Sequence, residues 1–344
     1  MDNTSDIQTD KFLYEHALGA LNGLAIGDAL GMPSQTLTTQ EIKEHYGVIT
    51  DFVPPFFDHP VSHGLHGGQV TDDTEQTLIL AHRLVSDDGN IDEIQLAKDF
   101  LAWEENIKAR GLRDLLGPST KLALNAILAG HPTSASGKNG TTNGAAMRIA
   151  PIGIATPVDD YTAFVDKVES ACRMTHNTGE AIASAASVAA VISCGLNGYD
   201  FLSATKIALL VSDIGQKRGH NVGESQMSKR IKDALDFASQ KPSIEEIAMT
   251  IGSSVASYES VPAAFAIVHA AGGDPWKAVS MSANIGDDTD TIGAIAGAMA
   301  GACSGITAFP EQAISTISLV NNLSFEKVAR DLLKLRKQAT LPVN

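Results

Sequence analysis

The chain has 344 residues, 44% apolar and 19% charged, enough to bury a large core and too apolar for a disordered chain. Its 40 acidic against 25 basic residues leave a net charge of −15, the wrong sign for a general nucleic-acid binder or for attraction to an anionic membrane surface. Cys172, Cys194 and Cys303 are far apart and form no CxxC pair, which excludes a disulfide framework and a zinc ribbon and fits a reduced, cytoplasmic protein.

The acidic, polar start Met1–Asp6 does not read as a signal peptide. Apolar residues then recur at i, i+3, i+4 over Tyr14–Leu30, Glu75–Val85, Glu93–Lys108, Thr120–Leu128, Tyr161–Met174 and Glu180–Cys194. The same period continues over Phe201–Ile214, Ser225–Ser239, Pro262–Ala271, Thr291–Cys303 and Phe325–Lys337. Strict alternation is short, with Val48–Val53 the best example, and the Val/Ile runs of a parallel sheet are absent. The weakly polar stretches Ala181–Cys194 and Ile292–Ile306 are shorter than a membrane span. The expected fold is all-α, a compact orthogonal multi-helix bundle. Without a clear linker, residues 1–344 are expected to form one domain, with its core over about 14–338. Residues Thr36–Gln40, Pro54–Gly68, Gly130–Thr142 and Gly215–Ser225 read as loops, where binding residues tend to sit.

Two helices carry glycine at every fourth position: Gly19, Gly23, Gly27, Gly31, and Gly293, Gly297, Gly301, Gly305. Each interior glycine costs about 1 kcal/mol against alanine, so these ladders predict helices whose backbones touch. If the two pack antiparallel, Asp28 and Gln35 come close to Asp288 and Asp290 at one end of the core.

Acids and hydroxyls concentrate in two runs at helix starts, Gln69–Glu75 and Asn284–Thr291. The plain reading of the first is a cap, because Asp72 followed by Glu75 is a capping-box spacing. A cap uses one acid, and the two runs hold five aspartates. Crowded carboxylates need a cation, and oxygen donors alternating with threonine hydroxyls suit Mg²⁺ or Mn²⁺ rather than zinc. Two distant runs can supply opposite halves of a two-metal site. His59, His63 and His66 beside Asp58 read as a substrate loop, with a transition-metal site as the other reading. Ser119 and Cys172 lack a local base, and no GxGxxG or P-loop occurs.

Four blocks, in order, resemble the ADP-ribosylglycohydrolase family. They are Gly23–Gly31, Thr71–Thr74, Asn143-Gly144-Ala145-Ala146-Met147-Arg148, and Gly286–Thr291 with its glycine ladder. Thr175-His176 and Gly117–Thr120 fall where the family has similar residues, so the likeness spans about residues 14 to 306. The resemblance implies an all-α enzyme with two Mg²⁺ ions (Mn²⁺ as the variant) that cleaves the glycosidic bond joining ADP-ribose to a protein side chain or small acceptor. It implies Thr71, Asp72, Asp73, Asp288, Asp290 and Thr291 as metal ligands. Asp28, Asn143, Gly144, Met147, Arg148 and His176 would bind substrate. Many members place a catalytic glutamate where this chain has Gln35, which cannot take a proton at pH 7. Either a carboxylate such as Asp73, with Asp72 beside it, supplies the base, or the substrate needs none, or the activity is lost. Asp287 stands where glycine is commoner.

Three other readings follow from the same residues. One is a riboside hydrolase with a different substrate, and another is a non-catalytic ADP-ribose binder or crystallin-like relative. An isoprenoid diphosphate enzyme is disfavoured, because neither run spells DDxxD and aromatics are only 5%.

Overall fold

The structure, a computed structural model, describes residues 3–109, 117–223 and 225–340. Its longer helices are Asn3–Gly31, Asp72–Ser86, Glu93–Ala109, Pro118–Leu128, Tyr161–Cys172, Gly179–Leu196, Phe201–Gly215, Met227–Ala238, Ser257–Ala270, Thr289–Ser304, Glu311–Asn321 and Glu326–Thr340. Shorter ones are Thr39–Tyr46, Ile244–Ile251 and Pro275–Ser282, with single turns or little more at Thr133–Ser136, Gly144–Met147 and Ala150–Ala155. The fold is all-α; among the described residues only two isolated bridges, Thr142 with Ala256 and Thr178 with His220, pair extended backbone.

The glycine ladders form the central seam. A Cβ built on Gly19, Gly23 or Gly27 would run into the carbonyl oxygens of Gly301, Gly297 and Gly293 respectively, and one on Gly31 into the Thr289 carbonyl. The register is therefore antiparallel, and only glycine lets the two backbones come this close. The Gly179–Leu196 helix lies beside them with every residue buried. By length and composition it is apolar enough to cross a membrane, yet it is wholly enclosed by other helices. Small residues pervade this interior. Gly195 meets the Ala302 backbone and Gly153 the Ala189 carbonyl at distances no side chain would tolerate.

The alternation of Val48–Val53 makes no strand, in keeping with the all-α expectation: Ile49 is buried, and its N–H and C=O pair with the Asn284 side-chain amide at 2.9 and 2.8 Å, so one side chain does what a neighbouring strand would. Two expectations change. Residues 39 and 40, read as loop, start the Thr39–Tyr46 helix under a capping box of Thr38 and Glu41. The helix expected to open at Pro262 instead begins at Ser257 and runs through it. Proline removes the donor that would bond the Tyr258 carbonyl, and Arg230 Nε takes that carbonyl at 2.9 Å.

Candidate active site

The seam ends where Gly31 meets Thr289 and Asp290. Ser34 ties this end by donating to the Ala283 carbonyl at 2.7 Å, and Thr289 by donating to the Gly31 carbonyl at 2.8 Å. A cleft of about 180 Å³ opens there. Gln35, Asp72, Asn143, Gly144, Met147, Asp288, Asp290 and Thr291 line it, so one cleft gathers residues from three of the four blocks of the sequence pattern.

Neither acidic run caps its own helix. Thr71 precedes the Asp72–Ser86 helix without a side-chain cap, and Asp288 precedes Thr289–Ser304 likewise. The cap of the first comes from the seam. Asp28, wholly buried, accepts from the Thr71 N–H and hydroxyl and from the Thr74 N–H and hydroxyl, at 2.5–3.2 Å. A carboxylate at a helix N-terminus is favourable there, and it frees Asp72 and Asp73 from that task. Burial still raises Asp28 to a pKa of about 6, offset by those four bonds.

The four site carboxylates are held above their usual range. Asp72, Asp73 and Asp290 lie well above it, by burial first and then by mutual repulsion with Asp28 and Asp288. Asp288 rises to about 6 through burial, eased by the Asn143 amide and Thr291 hydroxyl. Two oxygens, Asp73 Oδ1 and Asp290 Oδ1, are buried with no hydrogen-bond donor. Orphaned carboxylate oxygens facing like charges fit a bound cation. Among the described residues no group of three or more His, Cys, Asp or Glu side chains is placed to hold a metal ion. The donors at hand are carboxylate and hydroxyl oxygens, which fit a hard cation better than zinc.

A second layer lies behind the cleft wall. Arg148, 1% exposed, donates to Gln76 Oε1 at 2.8 Å and to the Thr175 hydroxyl, and stacks 4.9 Å over the Phe100 ring. Gln76 donates to Asp72 Oδ2 at 3.0 Å. His176 is fully buried, with Nδ1 against Thr175 Oγ1 and Nε2 against Thr142 Oγ1. Asn143 donates from one amide nitrogen to Ser260 and to Asp288, fixing that carboxylate.

The cleft rim carries two left-handed residues that are not glycine, Thr36 at φ 66° and Asp287 at φ 60°. They hold each other: the Thr36 N–H donates to the Asp287 carbonyl at 2.6 Å, and the Asp287 N–H to the Leu37 carbonyl at 2.7 Å. This backbone conformation explains why glycine suits position 287. Gln35 is oriented by the loop of residues 54–68. Ser62 Oγ donates to the Met32 carbonyl at 2.8 Å and therefore accepts from Gln35 Nε2 at 2.9 Å, which leaves Gln35 Oε1 as an acceptor.

The family model described as ADP-ribosylglycohydrolase matches residues 9–341. The chain belongs to the ADP-ribosylglycohydrolase family. It is 34% identical to the uncharacterized protein YegU of Escherichia coli over 328 residues, covering 94% of this chain and 98% of the relative. It is 26% identical to the ADP-ribosyl-[dinitrogen reductase] glycohydrolase of Rhodospirillum rubrum, covering 90% and 93%, and 26% identical to human ADP-ribosylhydrolase ARH3, covering 85% and 86%. A solved structure titled ADP-ribosylglycohydrolase-related protein complex superposes with a TM-score of 0.67 over 96% of this chain and all of the other, at 23% identity, and shares the fold. The family places this chain among glycohydrolases of ADP-ribose linkages.

Within this ADP-ribosylglycohydrolase the residues read from sequence fall into two layers. Eight reach the cleft wall. Thr71 and Asp73 are buried beneath the acids, and Asp28, Arg148 and His176 lie behind the wall with protein partners, where they set up the residues in front. Thr142, Thr36, Val255 and Gln76 were not singled out. Thr36 and Thr142 fall in stretches read as binding loops, and Gln76 lies one turn after Asp72, which puts the two on one helix face; Val255 has no such signal. The histidine loop does not form a metal cluster: His59 is buried while His63 and His66 are exposed. Cys172 is buried with its thiol pushed up to about 12, which rules it out as a nucleophile.

Proposed function

We propose that this chain is a divalent-cation-dependent glycohydrolase that releases ADP-ribose from a modified protein or a small acceptor. The observation that carries the reading is the pair of donorless buried oxygens, Asp73 Oδ1 and Asp290 Oδ1, beneath a cleft lined by Asp72, Asp288 and Thr291. Thr71, Asp72, Asp73, Asp288, Asp290 and Thr291 would hold two Mg²⁺ ions, or Mn²⁺ in their place. When bound, such a pair supplies Lewis acidity and orients the ribose. The carboxylates face the anomeric carbon as positive charge develops in an oxocarbenium-like transition state. Gln76 aims Asp72 at the cleft, and Asp72 or Asp73 takes the proton from attacking water. Gln35 Oε1 accepts a hydrogen bond from the acceptor and moves no proton.

Gln35 favours a second reading, a protein that binds ADP-ribose without cleaving the usual linkage. Calorimetric titration of ADP-ribose with and without Mg²⁺, with Asp290→Ala as control, tests the binding half; release of ADP-ribose from arginine-, serine- and nucleobase-linked acceptors tests the cleavage half. Cation-dependent binding that disappears in Asp290→Ala, with release from one acceptor class, is expected. Binding without release from any class would favour the second reading, and no cation binding would overturn the first.

A further inference from the structure

Arg148 reaches the cleft by two hydrogen-bonded arms. One runs through Gln76 at 2.8 Å to Asp72 at 3.0 Å. The other runs to the Thr175 hydroxyl, on to His176 Nδ1 at 2.7 Å, and from His176 Nε2 to the Thr142 hydroxyl at 3.0 Å. Counting protons along the second arm gives its direction. A guanidinium only donates, so Thr175 Oγ1 accepts from it. Thr175 then has one proton to give, and His176 Nδ1 is where a buried hydroxyl can give it. Nδ1 is therefore the bare nitrogen, Nε2 carries the ring proton, and Thr142 accepts it. Burial and the neighbouring Arg148 charge keep the ring neutral, as this pattern requires. Thr142 lines the cleft, and its hydroxyl has its own proton still to place.

We infer that Thr142 is a ligand-binding residue whose hydroxyl donates to an acceptor oxygen of the ligand, and that Arg148 and His176 are positioning residues that set this donor's direction. The assignment of the ligand as ADP-ribose rests on the functional reading above; the relay itself does not. Local packing is built around the ring. A Cβ on Gly144 would come within 2.9 Å of His176 Cε1, and one on Gly140 within 2.7 Å of the His176 Cα. The same cation thus serves both walls, steadying an acceptor at Asp72 and a donor at Thr142, in a cleft otherwise rich in acids.

Two measurements test it. The first is nitrogen-15 NMR of the histidine rings in the ligand-free protein, with His176 assigned by the signals lost in His176→Asn. A bare Nδ1 and protonated Nε2 are expected between pH 6 and 8, with the pattern lost in Arg148→Met. A proton on Nδ1, or a charged ring at pH 7, overturns the relay whatever the ligand is. The second is calorimetry with ADP-ribose in Mg²⁺. Thr142→Val and His176→Phe should each weaken binding about tenfold, the double variant no further, and Thr142→Ser should stay within about twofold of the parent. Losses that multiply to about a hundredfold, or a Thr142→Val that binds like the parent, overturn the coupling. Thr142→Val keeps this arm decisive if His176→Phe fails to fold. Absence of ADP-ribose binding by the parent would overturn the functional reading, and the ring pattern would still decide the relay.

Discussion

Arg336 and the acids of the cleft are buried to a similar degree, 4% exposed for Arg336 and Asp290 and 1% for Asp73, and their surroundings differ. Among the described residues Arg336 makes no salt bridge, with Asp159 acting on it only through the field. Its guanidinium donates instead to the carbonyls of Gly153, Ile154 and Ser193, to Ser193 Oγ and to Asn197 Oδ1, at 2.8–3.3 Å, where two helices end. A cation at helix C-termini meets the negative end of each helix and the carbonyls left over there. Asp73 and Asp290 have the opposite arrangement, like charges in front and a bare oxygen each. Asp28, at the edge of that cluster, is closed in the manner of Arg336, with four donors. Asp28, with its four donors, belongs to the fold, whereas the bare oxygens of Asp73 and Asp290, facing like charges at the cleft, mark where a ligand would fit.

That contrast can be broken by mutation. Arg336→Met should cost about 3 kcal/mol in denaturant unfolding, because it strands several buried acceptors, and should leave the response to Mg²⁺ intact. Asp73→Asn and Asp290→Asn should act in the other direction. In cation-free buffer each should raise the melting temperature by about 2 °C by relieving repulsion, and each should abolish the further rise that Mg²⁺ gives the parent. A fall in melting temperature without cation would place these acids with Arg336 after all.

His59 sharpens the same point by pH. Its Nδ1 accepts from the Val61 and Ser62 N–H groups, and burial lowers its pKa to about 4. The unfolded ring takes protons near pH 6.5 and the folded one does not. Stability should therefore be constant above about pH 6.5 and fall as pH drops toward 4, and His59→Asn, which keeps an acceptor there, should flatten that fall. The smallest effect belongs to Asp287→Gly. Removing a side chain from a left-handed residue should stabilise by about 0.5–1 kcal/mol, read as a shifted denaturant midpoint. Loss of stability there would mean that the Asp287 carboxylate, not just its backbone, is used.

Much of this was legible because helices write their register locally. The four-residue glycine spacing predicted touching backbones, and the seam has that geometry with the antiparallel pairing that unites the two acidic runs. Two short helices, Ile244–Ile251 and Pro275–Ser282, do not stand out in the sequence although their caps are visible, Ser243 with Glu246 and Asp274 before Pro275. Their apolar stripes span barely two turns, too few for a period to stand out. The capping-box reading of Asp72 and Glu75 misjudged the cap, because the residue that caps, Asp28, lies 43 positions away from Thr71 in the chain.

The sequence alone determined the helical class, the central seam, the crowding of carboxylates in two runs and the family, all of which depend on residue type at short spacing. Only the tertiary structure decided which side chains face the cleft and which stand behind it. Arg148 belongs to the same block as Asn143, Gly144 and Met147, yet they line the cleft and it does not. Whether a side chain meets a ligand or a helix terminus depends on partners from distant segments, and those partners come into place only when the core closes.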